Sequence, residues 1–102
     1  MTQRLSALVV ARNEEGQLAD CLTTLNFADE IIVVLDRCTD RSREIAEKLN
    51  ARIVEGAWDI EGTRRNTGID AATGDWILEV DADERVTPAL AQEIKRTIQH
   101  AP

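Results

Sequence analysis

Three carboxylates lie within four residues at the end of an apolar run. The run spans residues 76–80, and Asp81, Asp83 and Glu84 follow it directly. Such a run is typical of a buried strand in a parallel sheet. Carboxylates one residue apart repel each other unless a cation lies between them, and a hard divalent ion is the usual cation. The stretch therefore predicts a metal ion and, through it, an anionic ligand.

Two other apolar runs also end in polar residues. Residues 5–11 are followed by the polar segment 12–14, and residues 30–35 are followed by Asp36. In a parallel sheet the carboxyl ends of the strands lie along one rim, which is where open α/β sheets bind ligands. We therefore expect segment 12–14, Asp36 and segment 81–83 to converge there.

Amphipathic segments alternate with these strands. Leu18, Cys21, Leu22 and Leu25 recur at helical spacing, which predicts a helix over residues 15–26. The other predicted elements are a helix that begins near Ser42, a short edge strand over 51–54 containing polar Arg52, a helix over 63–73 closed by Gly74, and a helix that begins at Thr87-Pro88. The order predicts a single α/β domain, residues 1–102, with a parallel sheet of about four strands and helices on both faces.

Composition limits the kinds of partner. Nineteen acidic against twelve basic residues give a net charge of −7, which argues against a nucleic-acid binder. Cys21 and Cys38 lack metal-ligand spacing, so we expect reduced thiols, with Cys21 in the core. No apolar run reaches the roughly 20 residues of a membrane span, and the N-terminus lacks a signal-peptide pattern. These features predict a cytoplasmic protein.

Four segments of the chain occur in the same order and spacing in one known family. They are Leu8-Val9-Val10-Ala11-Arg12-Asn13-Glu14-Glu15, Val33-Val34-Leu35-Asp36-Arg37-Cys38-Thr39-Asp40, Arg65-Asn66-Thr67-Gly68-Ile69 through Ala72-Thr73-Gly74-Asp75, and Asp81-Ala82-Asp83-Glu84. Through them the chain resembles the N-terminal, nucleotide-binding half of family 2 glycosyltransferases, which have the Rossmann-like GT-A fold. Segments 27–30 and 83–86 are closest to bacterial lipopolysaccharide-core glucosyltransferases. A complete GT-A domain is about twice as long, so the resemblance implies a truncated domain.

The resemblance implies a role for each segment. Asp36 would accept a hydrogen bond from the ring N–H of uracil, and Arg65 would lie near the diphosphate. That role would explain a cation in the first turn of a helix, where the helix dipole opposes it. The implied nucleotide-sugar-binding residues are Ala11, Arg12, Asn13, Glu14, Asp36, Arg65, Asp81 and Ala82. Asp83 would ligate Mg²⁺ or Mn²⁺, and Asp81 would face the ribose or the metal ion.

The implied activity is inverting transfer of a sugar from a nucleotide-diphospho-sugar, a UDP-sugar above all, to a hydroxyl of a saccharide or lipid-linked acceptor. The metal ion would neutralise charge on the leaving nucleoside diphosphate. In the family the general base lies C-terminal to these residues, so the isolated chain could bind a donor without transferring anything. The full enzyme could associate with the inner face of the cytoplasmic membrane.

Two departures from the family affect these expectations. The second segment usually reads Asp-Asp-Gly-Ser-Thr-Asp, whereas this chain has Leu35, Arg37 and Cys38 in place of the first Asp, the Gly and the Ser. This difference bears on selectivity for the donor base. The fourth strand, internal in the complete fold, would keep an unpaired edge here, which predicts self-association.

Alternatives remain open at the level of sequence. Asp36 could end its strand or cap a helix, and Trp58 could fill the core. Haloacid dehalogenase phosphatases also open with a strand and Asp-x-Asp, although Arg85 stands where they carry Thr or Val. Response-regulator receivers also gather acids around Mg²⁺, but they need a Lys at the end of a later strand, and none is found there. A Mg²⁺-dependent aspartyl phosphatase or receiver-type site, and a non-catalytic nucleotide-binding fragment, are therefore the alternatives.

Overall fold

The computed structural model describes residues 3–101, in which four strands alternate with four helices. The strands are β1 (Leu5–Ala11), β2 (Glu30–Asp36), β3 (Arg52–Gly56) and β4 (Trp76–Asp81). The helices are α1 (Leu18–Thr23), α2 (Ser42–Lys48), α3 (Glu61–Ala71) and α4 (Pro88–Gln99). The predicted order of strands and helices is confirmed.

The four strands form one parallel sheet in the order β3-β2-β1-β4. Val9 of the central β1 is in register with Val33 of β2 on one side and Val80 of β4 on the other. All three side chains are buried. Parallel strands covered on both faces read as continuous apolar runs, which accounts for the sequences of β1 and β2.

Helices cover both faces of this sheet, as predicted. One face carries the larger core cluster, to which α1, α2 and α4 contribute and which includes Cys21 and Ala46. The other face carries a smaller cluster of Leu8, Ile32 and Val34, next to α3. Cys21 is fully buried, so its predicted place in the core is confirmed. Among the residues described, none of the helices combines the length and apolar character needed to cross a bilayer.

The ends of two helices differ from the prediction. Helix α1 has only six residues within the predicted 15–26, and α3 begins and ends two residues earlier than 63–73. Gly74 therefore does not cap α3, and that prediction is wrong. A Cβ on Gly74 would lie 2.6 Å from Ser6 Oγ and 2.8 Å from Ser6 N. Glycine is needed there because the chain passes close to β1.

Strand β4 lies at one edge of the sheet, so the prediction that the fourth strand keeps an unpaired edge is confirmed for the described part of the chain. The prediction of a buried strand is wrong, because most of its side chains are exposed. Within residues 3–101 it pairs with β1 alone. Trp76 and Ile77 are 39% and 38% exposed, whereas Val80 is buried against β1. The opposite edge is β3, as the polar Arg52 predicted.

Candidate functional site

A cleft opens between β1 and β4, where the path of the chain across the sheet changes direction. From β1 the chain moves outward through β2 to β3 and then returns to the other side of β1 as β4. Open α/β sheets bind ligands at such switch points. The cleft has a volume of about 280 Å³. It is lined by the apolar Leu8, Val10 and Val80 and by the charged Glu61, Arg64, Arg65, Glu79, Asp81 and Glu84.

Arg65 spans the cleft from α3 to β4. Its Nε lies 3.2 Å from Glu79 Oε2, and its Nη2 lies 3.7 Å from Glu61 Oε1. The Arg65 side chain is half-exposed, and exposed ion pairs contribute little stability. An anionic ligand can therefore replace either carboxylate. Since α3 begins at Glu61, Arg65 lies beyond the first turn in which it was predicted.

The acidic turn after β4 borders the same cleft. Asp81 N donates a hydrogen bond to Glu84 Oε1 at 2.8 Å, and Glu84 N donates to Asp81 O at 2.9 Å. These two bonds close the turn, and Asp83 is exposed within it. Of the two predicted metal ligands, the structure therefore places Asp81 in the lining of the cleft and Asp83 in the adjoining turn, outside the lining residues.

The donor set of this turn fits a metal ion that is shared with a ligand. Within the described chain, no three side chains of His, Cys, Asp or Glu are grouped so that they could hold a metal by themselves. Mg²⁺ commonly uses one or two carboxylates together with substrate phosphates and water. Asp81 and Asp83 would hold the ion in that way, with a bound diphosphate supplying the remaining oxygens.

Asp36 ends β2 on the sheet face that carries the cleft, two residues after Val34. It is 1% exposed, and Arg64, which lines the cleft, donates from Nη1 to its Oδ2 at 3.0 Å. Burial raises the pKa of Asp36, but hydrogen bonds from Arg37 and Arg64 outweigh burial and lower it. Asp36 is thus a buried anion joined to the cleft through Arg64. Its contact with a nucleotide base stays a prediction.

The turn after β1 is fastened to the loop after β2. Asn13, with a φ of 55°, accepts hydrogen bonds at Oδ1 from Thr39 N at 2.8 Å and Asp40 N at 3.3 Å. Asp40 in turn accepts from Glu15 N at 3.0 Å. The two loops therefore form one rigid rim. Of the predicted binding residues, Arg12, Asn13 and Glu14 belong to this rim, whereas Ala11 is the last residue of β1 and is buried in the larger core cluster. Within the part of the chain described, none of the four lines the cleft itself.

Four charged cleft residues have no role in the prediction from sequence, namely Glu61, Arg64, Glu79 and Glu84. Arg64 stands four residues before Gly68, which packs against Leu8, so it shares the helix face that meets the sheet. Glu79 stands two residues before Asp81 and so shares its strand face. Glu84 was seen only as one of three clustered acids. Ala82, predicted to bind the nucleotide sugar, is buried in the larger core cluster, and its carbonyl oxygen accepts a hydrogen bond from Arg85 Nη1 at 3.0 Å.

Comparison with known proteins identifies related sequences. Residues 6–102 match the sequence model of glycosyl transferase family 2. An uncharacterized glycosyltransferase of Rickettsia conorii is 33% identical over 96 residues, covering 93% of this chain and 34% of that protein. The chain spans about a third of the length of the curated relatives that it matches.

Solved structures share the fold. The mannosyltransferase PcManGT from Pyrobaculum calidifontis, in complex with GDP-Man and Mn²⁺, has a TM-score of 0.80 at 22% identity, over 100% of this chain and 34% of that one. S. aureus TarS 1–349 in complex with UDP has a TM-score of 0.75 at 24% identity, over 95% of this chain and 32% of that one. At these identities the similarity establishes the α/β fold alone.

Proposed function

The chain belongs to glycosyl transferase family 2, and we propose that it binds a nucleotide-diphospho-sugar, most favourably a UDP-sugar, in the cleft between β1 and β4. Mg²⁺ or Mn²⁺ would be shared between the diphosphate and the acidic turn after β4. The resulting function is inverting transfer of the sugar to a hydroxyl of a saccharide or lipid-linked acceptor. Family membership favours this function over the phosphatase and receiver alternatives.

The charge pattern of the cleft is the observation that carries the proposal. Four carboxylates and two guanidiniums line the cleft. A diphosphate entering it is repelled by Glu79, Asp81 and Glu84 unless a cation lies between. The exposed turn containing Asp83 supplies hard oxygen ligands for such a cation. PcManGT with GDP-Man and Mn²⁺, and TarS with UDP, support a ligand of this class.

Each part of the ligand has proposed partners among residues of this chain. Arg65 would exchange Glu79 and Glu61 for the diphosphate, and Asp36 would accept a hydrogen bond from the uracil ring N–H. The rim made by Asn13 and its neighbours would border the base and the ribose. A bound divalent ion supplies Lewis-acid stabilisation of the leaving nucleoside diphosphate. Donor binding is the part of this function that these residues would carry.

Calorimetric titration tests the proposal directly. UDP, UDP-glucose, GDP-mannose and dTDP-glucose are each titrated into the protein with Mn²⁺ and with EDTA. We expect UDP to bind with Mn²⁺ and to lose about tenfold or more in affinity without it, since the acidic turn then repels the diphosphate. In Asp83→Ala we expect the two affinities to become equal.

Asp70→Ala is the matched control, because Asp70 is an exposed carboxylate of α3 that is not among the cleft residues. It should keep the full dependence on Mn²⁺. UDP binding that is independent of metal and unchanged in Asp83→Ala would remove the role proposed for the acidic turn. Absence of binding by every nucleotide would refute donor binding by this chain.

A further inference from the structure

The carboxylate of Asp36 has no acceptor position left for a base. Its Oδ1 accepts hydrogen bonds from Arg37 Nε at 2.9 Å and Trp58 N at 3.3 Å. Its Oδ2 accepts from Arg64 Nη1 at 3.0 Å and Arg37 Nη2 at 3.4 Å. A carboxylate offers about four acceptor sites in all. A uracil ring N–H can therefore reach Asp36 only if one of these donors leaves.

Arg37 is the donor that can leave most easily. Its side chain is 39% exposed, whereas that of Arg64, a residue of α3, is 22% exposed. The Arg37 guanidinium also donates to Trp58 O at 2.9 Å and lies 3.8 Å from the exposed Asp59. These contacts are all at the solvent edge of the site, so a rotation of the side chain breaks them without disturbing the sheet.

The backbone of Arg37 has an unusual conformation for such a residue. Its φ is 50°, in the left-handed region that favours glycine. The family that the chain resembles usually has glycine at this position. The arginine side chain is therefore accommodated at a conformational cost, which its bonds to Asp36 and Trp58 offset.

We propose that Arg37 competes with the donor base for Asp36 and thereby sets the base selectivity of the site. This inference rests on the proposed function, since it needs a nucleotide in the cleft. Uracil has an N–H donor at ring position 3, whereas cytosine has an unprotonated acceptor nitrogen at the same position. A free Asp36 carboxylate attracts the first and repels the second. While Arg37 occupies Asp36, the carboxylate cannot contact the base, so the preference for uracil is smaller than a free Asp36 would give.

The ratio of UDP affinity to CDP affinity isolates this effect. UDP and CDP have the same diphosphate, so the loss of one positive charge near the site weakens both by the same factor. Only the contact between the base and Asp36 differs. A change in the ratio therefore reports on the base, and a common change in both affinities reports on charge or on a structural disturbance.

The test is titration of UDP and of CDP, both with Mn²⁺, into the wild type, Arg37→Gly and Arg37→Asn. Both substitutions suit a φ of 50°. We expect the affinity ratio to rise about five- to tenfold in each variant, because removing an internal competitor raises the fraction of sites open to uracil. Arg41→Ala, which removes an exposed arginine paired with Glu44, should leave the ratio unchanged.

The outcomes separate this inference from the proposed function. If the wild type binds neither UDP nor CDP, both the proposed function and the proposed competition are overturned. Suppose that the wild type binds UDP and that the UDP and CDP affinities of the variants change by one common factor or not at all. That result overturns only the proposed competition between Arg37 and the base. Thermal melting accompanies each titration, and failure of both Arg37 variants to fold would show that Arg37 is a structural anchor and would likewise overturn it.

Discussion

At the scale of single residues, Glu30 shows how one carboxylate joins three parts of the chain. Its Oε2 accepts hydrogen bonds from Ser6 Oγ at 2.5 Å, Thr73 N at 2.6 Å and Thr73 Oγ1 at 2.7 Å. Ser6 Oγ also accepts from Gly74 N at 2.8 Å. Burial raises the pKa of Glu30, but these bonds outweigh burial and lower it from 4.5 to about 2.

We predict that Glu30→Gln lowers the free energy of unfolding by about 1–2 kcal/mol at neutral pH, since it weakens charge-assisted hydrogen bonds. The pKa of Glu30 is lower in the folded state, so its contribution is complete above pH 4.5 and is lost as pH falls toward 2. Urea unfolding at several pH values measures the difference from wild type. That difference should shrink through this range.

Glu93→Gln, an exposed carboxyl on α4, serves as the control and should match wild type throughout. A Glu30→Gln deficit of constant size from pH 7 to pH 2 would contradict the role given to the charge.

At the scale of elements, α3 is fitted to the sheet by a glycine. A Cβ on Gly68 would lie 2.5 Å from Leu8 Cδ1 and 2.8 Å from Val34 Cγ2, both in the smaller core cluster. Gly62, in the same helix, has nothing within 4 Å of the corresponding point. Close approach of α3 to β1 and β2 brings Arg64 within reach of Asp36, so the packing of this helix also builds the site.

The two glycines should respond to alanine in opposite directions. Gly68→Ala overpacks the cluster and should cost about 1–3 kcal/mol, whereas Gly62→Ala should stabilise by about 0.5–1 kcal/mol through helix propensity alone. For a domain of this size each kcal/mol shifts the melting temperature by about 4–8 °C. Thermal melts of both variants measure the effect, and stabilisation by both would show that α3 is not held in contact with the sheet.

At the scale of the whole molecule, the exposed edge of β4 and the net charge oppose each other. Among residues 3–101, no strand pairs with the outer edge of β4, which lies beside the partly exposed Trp76 and Ile77. Such an edge recruits further strands. The net charge of −7 repels a second copy and is screened by salt. We therefore propose self-association through β4 that strengthens with protein and salt concentration.

Ile77→Lys should suppress this association, because a lysine on a strand edge disfavours pairing. Ile60→Lys adds the same charge at a more exposed position outside the sheet, 67% exposed, and should not suppress it. Size-exclusion chromatography with light scattering across a concentration series gives the mass. A strictly monomeric wild type at the highest concentration, or equal suppression by both variants, would exclude the β4 edge.

The sequence by itself determined the order of the strands and helices and the parallel sheet that they form. Apolar runs of strand length alternate with segments whose apolar residues have helical spacing. Both signals are local, so the first and last residues of β1 could be predicted from the sequence. Family membership could be inferred from four short segments, because each segment lies at the end or the beginning of a strand or helix that a local pattern indicates.

Only the tertiary structure decided which side chains meet. Two partners of Asp36, Trp58 and Arg64, lie 22 and 28 residues away in sequence, and no local pattern relates these positions. The role of Gly74 depends on its distance from β1, and the exposure of β4 depends on strand order across the sheet. Contacts between residues far apart in sequence are fixed by packing in three dimensions, and periodicity along the chain carries no information about them.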